Sequence, residues 1–235
     1  MNKIGLLIIA TGKYKIFLEN LINSADIYFL KNYEVEYFVF TDENIYISSD
    51  RKINNIIIEH KEWPFPTLLR YKNFVENSNA FKDMDYLYYV DSDMIFMNDV
   101  NDEIFSDIVC TVHPWFLGNR GTPENNNLSL AYIPDNLNFQ YMAGAFFGGQ
   151  KNCIMNMFNF IHKQIEIDYN RGVIAKWHDE SHSNKFFILY STKVLNLEYC
   201  YNFKSPYCYG NPNLIPRVVQ VEKDEQEMRD QKNNI

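Results

Sequence analysis

The sequence predicts a single α/β domain, a mixed sheet flanked by helices, and three observations carry that expectation. Strand-like and helix-like apolar patterns alternate from the first residues onward. A buried apolar run, Tyr86-Leu87-Tyr88-Tyr89-Val90, ends abruptly in Asp91-Ser92-Asp93, where an open α/β sheet presents its ligands. A chain of 235 residues that is 46% apolar and 16% aromatic can bury one large core, which excludes a disordered or collagen-like chain.

Each element follows in order. Ile4–Ile9 is too short to span a bilayer or serve as a signal segment, and reads as a buried strand. Leu18, Leu21, Ile22, Ala25, Tyr28 and Phe29 then recur at spacings of three and four, the stripe of a helix. Val35–Phe40, ended by Thr41-Asp42, is a second strand, so the three form a βαβ unit with parallel strands. A third strand is expected at Ile56–Ile58, then a Trp63-Pro64-Phe65-Pro66 break and a helix from Leu68 to Phe81. Val109–Val112 is another strand, ending at His113-Pro114, and the polar Gly118–Asn127 stretch reads as a mobile loop. Tyr141–Phe147 is apolar and punctuated by glycine, and Cys153 to Ile165 carry one helical face. A last helix is expected at Glu180–Tyr190 and a strand at Val194–Leu197. Residues 221–235 are charged without apolar periodicity, a tail on a domain of residues 1–220.

Lys and Arg number 22 against 30 Asp and Glu, a net charge of −8. Binding a phosphate backbone needs a dense basic surface, so nucleic acid is excluded as a partner. An anionic small ligand is not, because one or two well-placed cations suffice. Cys110, Cys153, Cys200 and Cys208 are scattered without CxxC or scaffold spacing, the pattern of reduced thiols in a soluble cytoplasmic protein. No stretch approaches a membrane span.

Three clusters carry chemistry. Asp91 and Asp93, at i and i+2 on extended backbone, point to one side and can grip a hard divalent cation such as Mn²⁺ or Mg²⁺. A solvated strand-to-loop turn is the plainer explanation of the same residues. Trp177-His178-Asp179-Glu180-Ser181-His182 reads as a capped helix start, as carboxylates pre-oriented towards a pocket, or as both at once. In Tyr141–Gly149 small residues allow close ligand approach, although a tightly packed inner strand would look alike. No P-loop, dinucleotide fingerprint or nucleophile elbow is present.

Taken together, ATGKY (10–14), EYFVFTD (36–42), YLYYVDSDM (86–94), TVHPWF (111–116), AYIP (131–134), YMAGAFFGG (141–149) and WHDESHSNK (177–185) resemble glycosyltransferase family 6. This is the retaining family of the histo-blood-group A and B transferases and α-1,3-galactosyltransferases. The resemblance implies a Rossmann-like GT-A fold and a UDP-sugar donor. It also implies transfer of galactose or N-acetylgalactosamine to a glycan hydroxyl in α linkage, α-1,3 in keeping with the family. Asp91 and Asp93 match the metal-binding DxD, implying dependence on Mn²⁺, with Mg²⁺ a substitute. Ser92 lies between them, where animal members carry an apolar residue.

By the same resemblance, Ile9, Ala10, Thr11 and Tyr14 match the strand end that holds uridine. Arg70, seven residues after Trp63, matches an arginine at the donor site. Lys223 and Arg229 match two basic residues of a tail that folds over UDP, which would exclude water. Glu180 matches the catalytic glutamate, acting by double displacement or by stabilising front-face attack. Asp179 would hold donor-sugar hydroxyls, while Trp63, His113, Trp115, Trp177 and His178 serve the sugar and acceptor. Met142, Ala143 and Gly144 would shape the sugar pocket. Gly144 leaves room for an N-acetyl group, whereas Met142 resembles the galactose-specific pattern.

The alternative is a non-catalytic sugar-nucleotide or glycan-binding module on the same fold, against which the joint presence of Asp91, Asp93 and Glu180 argues. By the resemblance the chain is expected to be the minimal soluble form of bacteria and their viruses, without the membrane anchor and stem of animal members.

Overall fold

The computed structural model describes residues 2–228. The first half runs β1 (Lys3–Ile9), α1 (Leu18–Tyr28), β2 (Glu34–Thr41) and β3 (Lys52–Ile57). Then come α2 (Phe65–Leu68), α3 (Arg70–Glu76), β4 (Tyr86–Val90) and β5 (Met94–Phe96). The second half comprises β6 (Val109–Val112), β7 (Met142–Gln150), α4 (Lys151–Asn170) and α5 (His178–Leu189). The chain closes with β8 (Lys193–Leu195), β9 (Val218–Gln220) and one turn, α6 (Glu225–Met228).

Seven strands form the central sheet in the order β3-β2-β1-β4-β7-β6-β8. The first four are parallel, β7 runs antiparallel to both neighbours, and β6 and β8 are parallel. The sheet is therefore mixed, and helices cover both faces. β1 explains how one apolar run serves two layers, because successive side chains on a strand point to opposite faces. Ile4, Leu6 and Ile8 pack with Leu18, Leu21, Ile22 and Ala25 of α1. Leu7 faces the other way, into a cluster with Phe74, Ile154, Phe158 and Ile161.

Several boundaries depart from the sequence pattern, each for a local reason. β3 starts four residues before Ile56, since an edge strand can carry Asn54, whose amide donates to Glu36 Oε2 at 2.9 Å. The helix expected over 68–81 is broken at Leu69, and Arg70 opens the second piece facing inward. β8 stops at Leu195 because the Asn196 side chain caps the next turn, accepting from the Glu198 amide. The 118–127 stretch, expected to be mobile, is tied down instead. Buried Glu124 accepts from the amides of Asn126 (2.7 Å) and Lys176 (2.5 Å). The two-stranded antiparallel β5-β9 sheet was not foreseen: its strands are three residues each, below the length at which alternation is legible.

Close packing is severe at Gly148, paired with Tyr88 on β4 and Val109 on β6. A Cβ there would stand 2.5 Å from the Leu87 carbonyl oxygen and closer still to the Tyr88 ring. Gly148→Ala is expected to destabilise the fold by ~1–3 kcal/mol, read as a fall in Tm of roughly 2–4 °C per kcal/mol.

Candidate active site

A cavity of about 380 Å³ opens where β1 and β4 end and β7 begins, beneath the first turn of α5. Its central cation is the guanidinium of Arg70, 6% exposed. Nη1 donates to the Gly144 carbonyl at 2.6 Å, Nη2 lies 3.4 Å from Asp91 Oδ1, and Nε lies 3.0 Å from Asp179 Oδ2. The guanidinium also sits 4.4 Å from the centre of the Tyr89 ring. Burial alone would lower its pKa, but Asp179 first, then Tyr89 and Asp91, raise it, so the charge is held.

The Arg70–Asp179 contact is an ion pair by distance without hydrogen-bond alignment, and both Arg70 Nε and Asp179 Oδ2 are buried without a hydrogen-bond partner. Buried polar atoms are seldom left so. Burial pushes the Asp179 carboxyl up to about 6, against the pull of Arg70.

Glu180 keeps an edge on the cavity, while its carboxylate is gripped from β7. Gly144 N–H donates to Oε2 at 2.8 Å and Tyr141 O–H to Oε1 at 2.9 Å. Burial raises this carboxyl to about 7, and the two hydrogen bonds hold it from rising further. α5 reaches this position by polar docking. Its buried residues include Asp179, Ser181, His182, Ser183 and Asn184. The Asn184 amide accepts from Met142 N–H (2.8 Å) and donates to the Met142 carbonyl (2.9 Å), extending the β7 edge. Ser183 Oγ meets Tyr71 Oη of α3 at 2.6 Å. The chain enters α5 through His178 at φ +48°, a left-handed conformation that costs a non-glycine residue about 1–3 kcal/mol. The Trp177 amide donates to Ser181 Oγ at 3.0 Å, so the helix start is capped from inside.

The acidic triplet forms the opposite wall. Ser92 and Asp93 are buried, and Asp91 accepts from Tyr89 Oη at 2.5 Å. Burial, and then the neighbouring Asp91, raise the Asp93 carboxyl, and Lys223 opposes them. The Lys223 ammonium hydrogen-bonds Asp93 Oδ2, donates to Tyr14 Oη at 3.2 Å and lies over that ring at 4.7 Å. The segment after β9 thus lies against the cavity. Its Val221 amide donates to the Asp93 carbonyl (2.8 Å), Lys13 Nζ donates to the Glu227 carbonyl (2.8 Å), and Met228 joins the lining.

Most residues singled out from sequence converge here. Ile9, Thr11 and Tyr14 line one side; Trp63, His178 and Trp177 another; His113 and Trp115 a third; Ala143 and Gly144 the floor. The Trp63 and His178 rings meet edge-on at 4.9 Å. Trp177 Nε1 donates to Thr122 Oγ1 at 2.7 Å, so the 118–127 loop steadies that indole. Burial lowers His113 to about 4, and its Nδ1 accepts from the Trp115 amide, so the neutral ring carries its proton on Nε2.

Two expected residues do not line the cavity. Ala10 is buried with its amide donating to Phe40, and Met142 packs among Cys110, Val112 and Leu197, because alternate residues of a strand face the core. Arg229 lies outside the described residues. Sequence reasoning missed His60, Thr67, Cys200, Gln220 and Met228 along the lining, and Tyr141 behind Glu180. The last had a signal, a tyrosine immediately before the glycine-punctuated strand.

A Rossmann-like parallel half, an acidic turn at the end of β4 and an antiparallel extension through β7 define a GT-A-type fold. The model of glycosyltransferase family 6 matches residues 1–230, and the chain belongs to that family. Human globoside alpha-1,3-N-acetylgalactosaminyltransferase 1 is 30% identical over 234 residues, covering 94% of this chain and 67% of that protein. Rat histo-blood group ABO system transferase 1 is 32% identical over 240 residues, covering 96% and 68%. The Escherichia coli O-antigen biosynthesis glycosyltransferase WbnI is 26% identical over 230 residues, covering 94% and 95%. The chain therefore spans about two thirds of those two animal relatives and nearly all of the bacterial one. Family and relatives together indicate a glycosyl transfer activity. No helix among the described residues is long and apolar enough to cross a membrane.

The raised Glu180 carboxyl has a consequence for stability. Its folded pKa, about 7, exceeds the ordinary 4.5, so between these values the folded chain holds a proton the unfolded chain has released. Stability contributed by this group is present below about pH 4.5 and lost as pH rises through 7. Glu180→Gln, neutral throughout, is expected to be more stable than the parent at pH 8 by roughly 1–3 kcal/mol. That advantage should shrink several-fold by pH 5 in paired thermal melts.

Proposed function

We propose that this chain is a retaining, divalent-metal-dependent glycosyltransferase. It would move galactose or N-acetylgalactosamine from a UDP-sugar to a hydroxyl of a glycan acceptor, in α linkage and α-1,3 by analogy with its relatives' names. The supporting observation is the convergence of Asp91, Asp93, Asp179 and Glu180 on one cavity, with Arg70 bridging Asp91 and Asp179.

The donor set suits a hard cation. Asp91 and Asp93 offer carboxylate oxygens, and a basic side chain, Lys223, already rests against Asp93. Among the described residues no group of three or more His, Cys, Asp or Glu could hold a metal, so diphosphate and water oxygens would complete the shell. A cation held by Asp91 and Asp93 would neutralise the diphosphate and improve it as a leaving group.

The chain's own residues do the rest. Tyr14, with Ile9 and Thr11 on the same side, offers an aromatic face to uracil. Ser92 stands beside the diphosphate. Asp179 Oδ2, buried without a hydrogen-bond partner, would accept from a donor-sugar hydroxyl. Glu180 would oppose the positive charge that develops at the anomeric carbon, which requires its ionised form. Trp63, Trp177 and His178 would border the sugar, and His113 with Trp115 the acceptor. Residues 221–235 would act as a lid, Lys223 and Arg229 facing the departing UDP and water being shut out.

UDP release from UDP-galactose and UDP-N-acetylgalactosamine, with Mn²⁺ and then with chelator, tests this reading. Turnover in Mn²⁺ that chelation abolishes and Mn²⁺ restores is expected. Failure of both donors with every divalent metal, even by slow hydrolysis, would sink the proposal. Glu180→Gln is expected to retain UDP binding and lose turnover at least ~100-fold. Gly144 offers a second handle, since a Cβ there would stand 3.3 Å from Glu180 Oε2 and 3.4 Å from Arg70 Nη1. Gly144→Ala is expected to lower use of the N-acetylated donor relative to galactose by ~10-fold or more, about 1.4 kcal/mol of discrimination.

A further inference from the structure

Tyr141 is fully buried and absent from the cavity lining, yet its hydroxyl reaches the carboxylate that the cavity exposes. It donates to Glu180 Oε1 at 2.9 Å, while Gly144 N–H donates to Oε2 at 2.8 Å. Two donors on the two oxygens fix both the rotamer and the plane of the carboxylate. The ring is held in turn by the wall that carries His113. His113 and Phe116 meet it at 5.7 and 5.3 Å, both edge-on. Its amide donates to the Asn119 carbonyl, and its carbonyl accepts from His113 N–H and the Gln140 amide.

We infer that Tyr141 is the positioning residue of the site: it aims Glu180, favours its ionised form, and ties it to the wall beside His113. The inference rests on the reading of Glu180 as the working carboxylate.

The physical argument is one of sign. Burial, and then the Glu180 charge itself, hold the phenol protonated, so its proton is always available to the carboxylate. An ionised carboxylate accepts at both oxygens, so this bond lowers the Glu180 pKa, as does the Gly144 amide. The other groups facing Glu180 divide. Asp179 on the same helix raises it, and Arg70 on α3 lowers it. Tyr71 on α3 and Cys200 beyond β8 also lie within electrostatic reach, both protonated through burial. Removing the phenol leaves Asp179 less opposed.

The test is Tyr141→Phe, which deletes one oxygen and keeps the ring. Protein labelled with ¹³C at the glutamate carboxyls is titrated by NMR, the Glu180 signal being the one missing in Glu180→Gln. In Tyr141→Phe that signal is expected to titrate about one pH unit higher. In turnover the acidic limb of the pH profile should move by the same amount. kcat at pH 7 should fall roughly five- to tenfold, with recovery on the alkaline side and KM for both substrates within about twofold. Phe116→Leu, which loosens the same ring without touching the carboxylate, should leave the Glu180 titration in place. A Glu180 signal that titrates alike in wild type and Tyr141→Phe overturns the proposal, whether or not a donor has been found. If Glu180→Gln itself keeps full turnover, the reading of Glu180 fails instead. If Glu180→Gln is inactive and Tyr141→Phe unchanged, only the role of Tyr141 fails.

Discussion

The arrangement depends on a buried positive charge that cannot be given up. Arg70 is held among Asp91, Asp179, the Gly144 carbonyl and the face of Tyr89, so four separate elements meet at one planar group. A guanidinium rather than an ammonium is required, because its fork addresses several partners in fixed directions and stays charged when dry. Taking such a charge out of water is expensive unless every side is answered. The sheet end, the glycine-rich strand and the start of α5 therefore share one electrostatic solution. The site is correspondingly strained: Asp179 is close to Arg70 but misaligned, and two adjacent carboxyls on α5 sit above their ordinary pKa range.

That strain is balanced by the way α5 is mounted. An ordinary surface helix presents an apolar stripe to the core. α5 turns serine, histidine and asparagine inward, and Asn184 extends β7 as a further strand residue would. Amide and hydroxyl contacts are directional where apolar contacts are not. They set the rotation of the helix about its axis and hence where Asp179 and Glu180 arrive. The 118–141 segment braces the assembly from outside through Thr122, Glu124 and Tyr141.

These two features mark how far the sequence can be read. β1, α1, β2 and β4 were legible because burial there is purely apolar and keeps its period, down to the residue bounds of β4. The acidic triplet and the Trp177–His182 run were legible as unusual chemistry beside apolar runs. The inward turn of Arg70 was legible only through the family resemblance, since it follows from a helix break at Leu69 that no residue type announces. The anchoring of 118–127 was not legible, because a buried glutamate serving backbone amides looks like solvent-facing polarity in one dimension. β5 and β9 are only three residues each, and their pairing is set by the fold around them.

The contact between Lys223 and Asp93 bears on how such a protein comes into being. An acidic chain that clusters carboxylates at a strand end would ordinarily need a foreign counterion before that end could close. Here the polypeptide brings its own, on a segment laid down by the β5-β9 ladder and the Val221–Asp93 backbone bond. The carboxylates at this strand end thus carry a counter-charge that belongs to the same polypeptide.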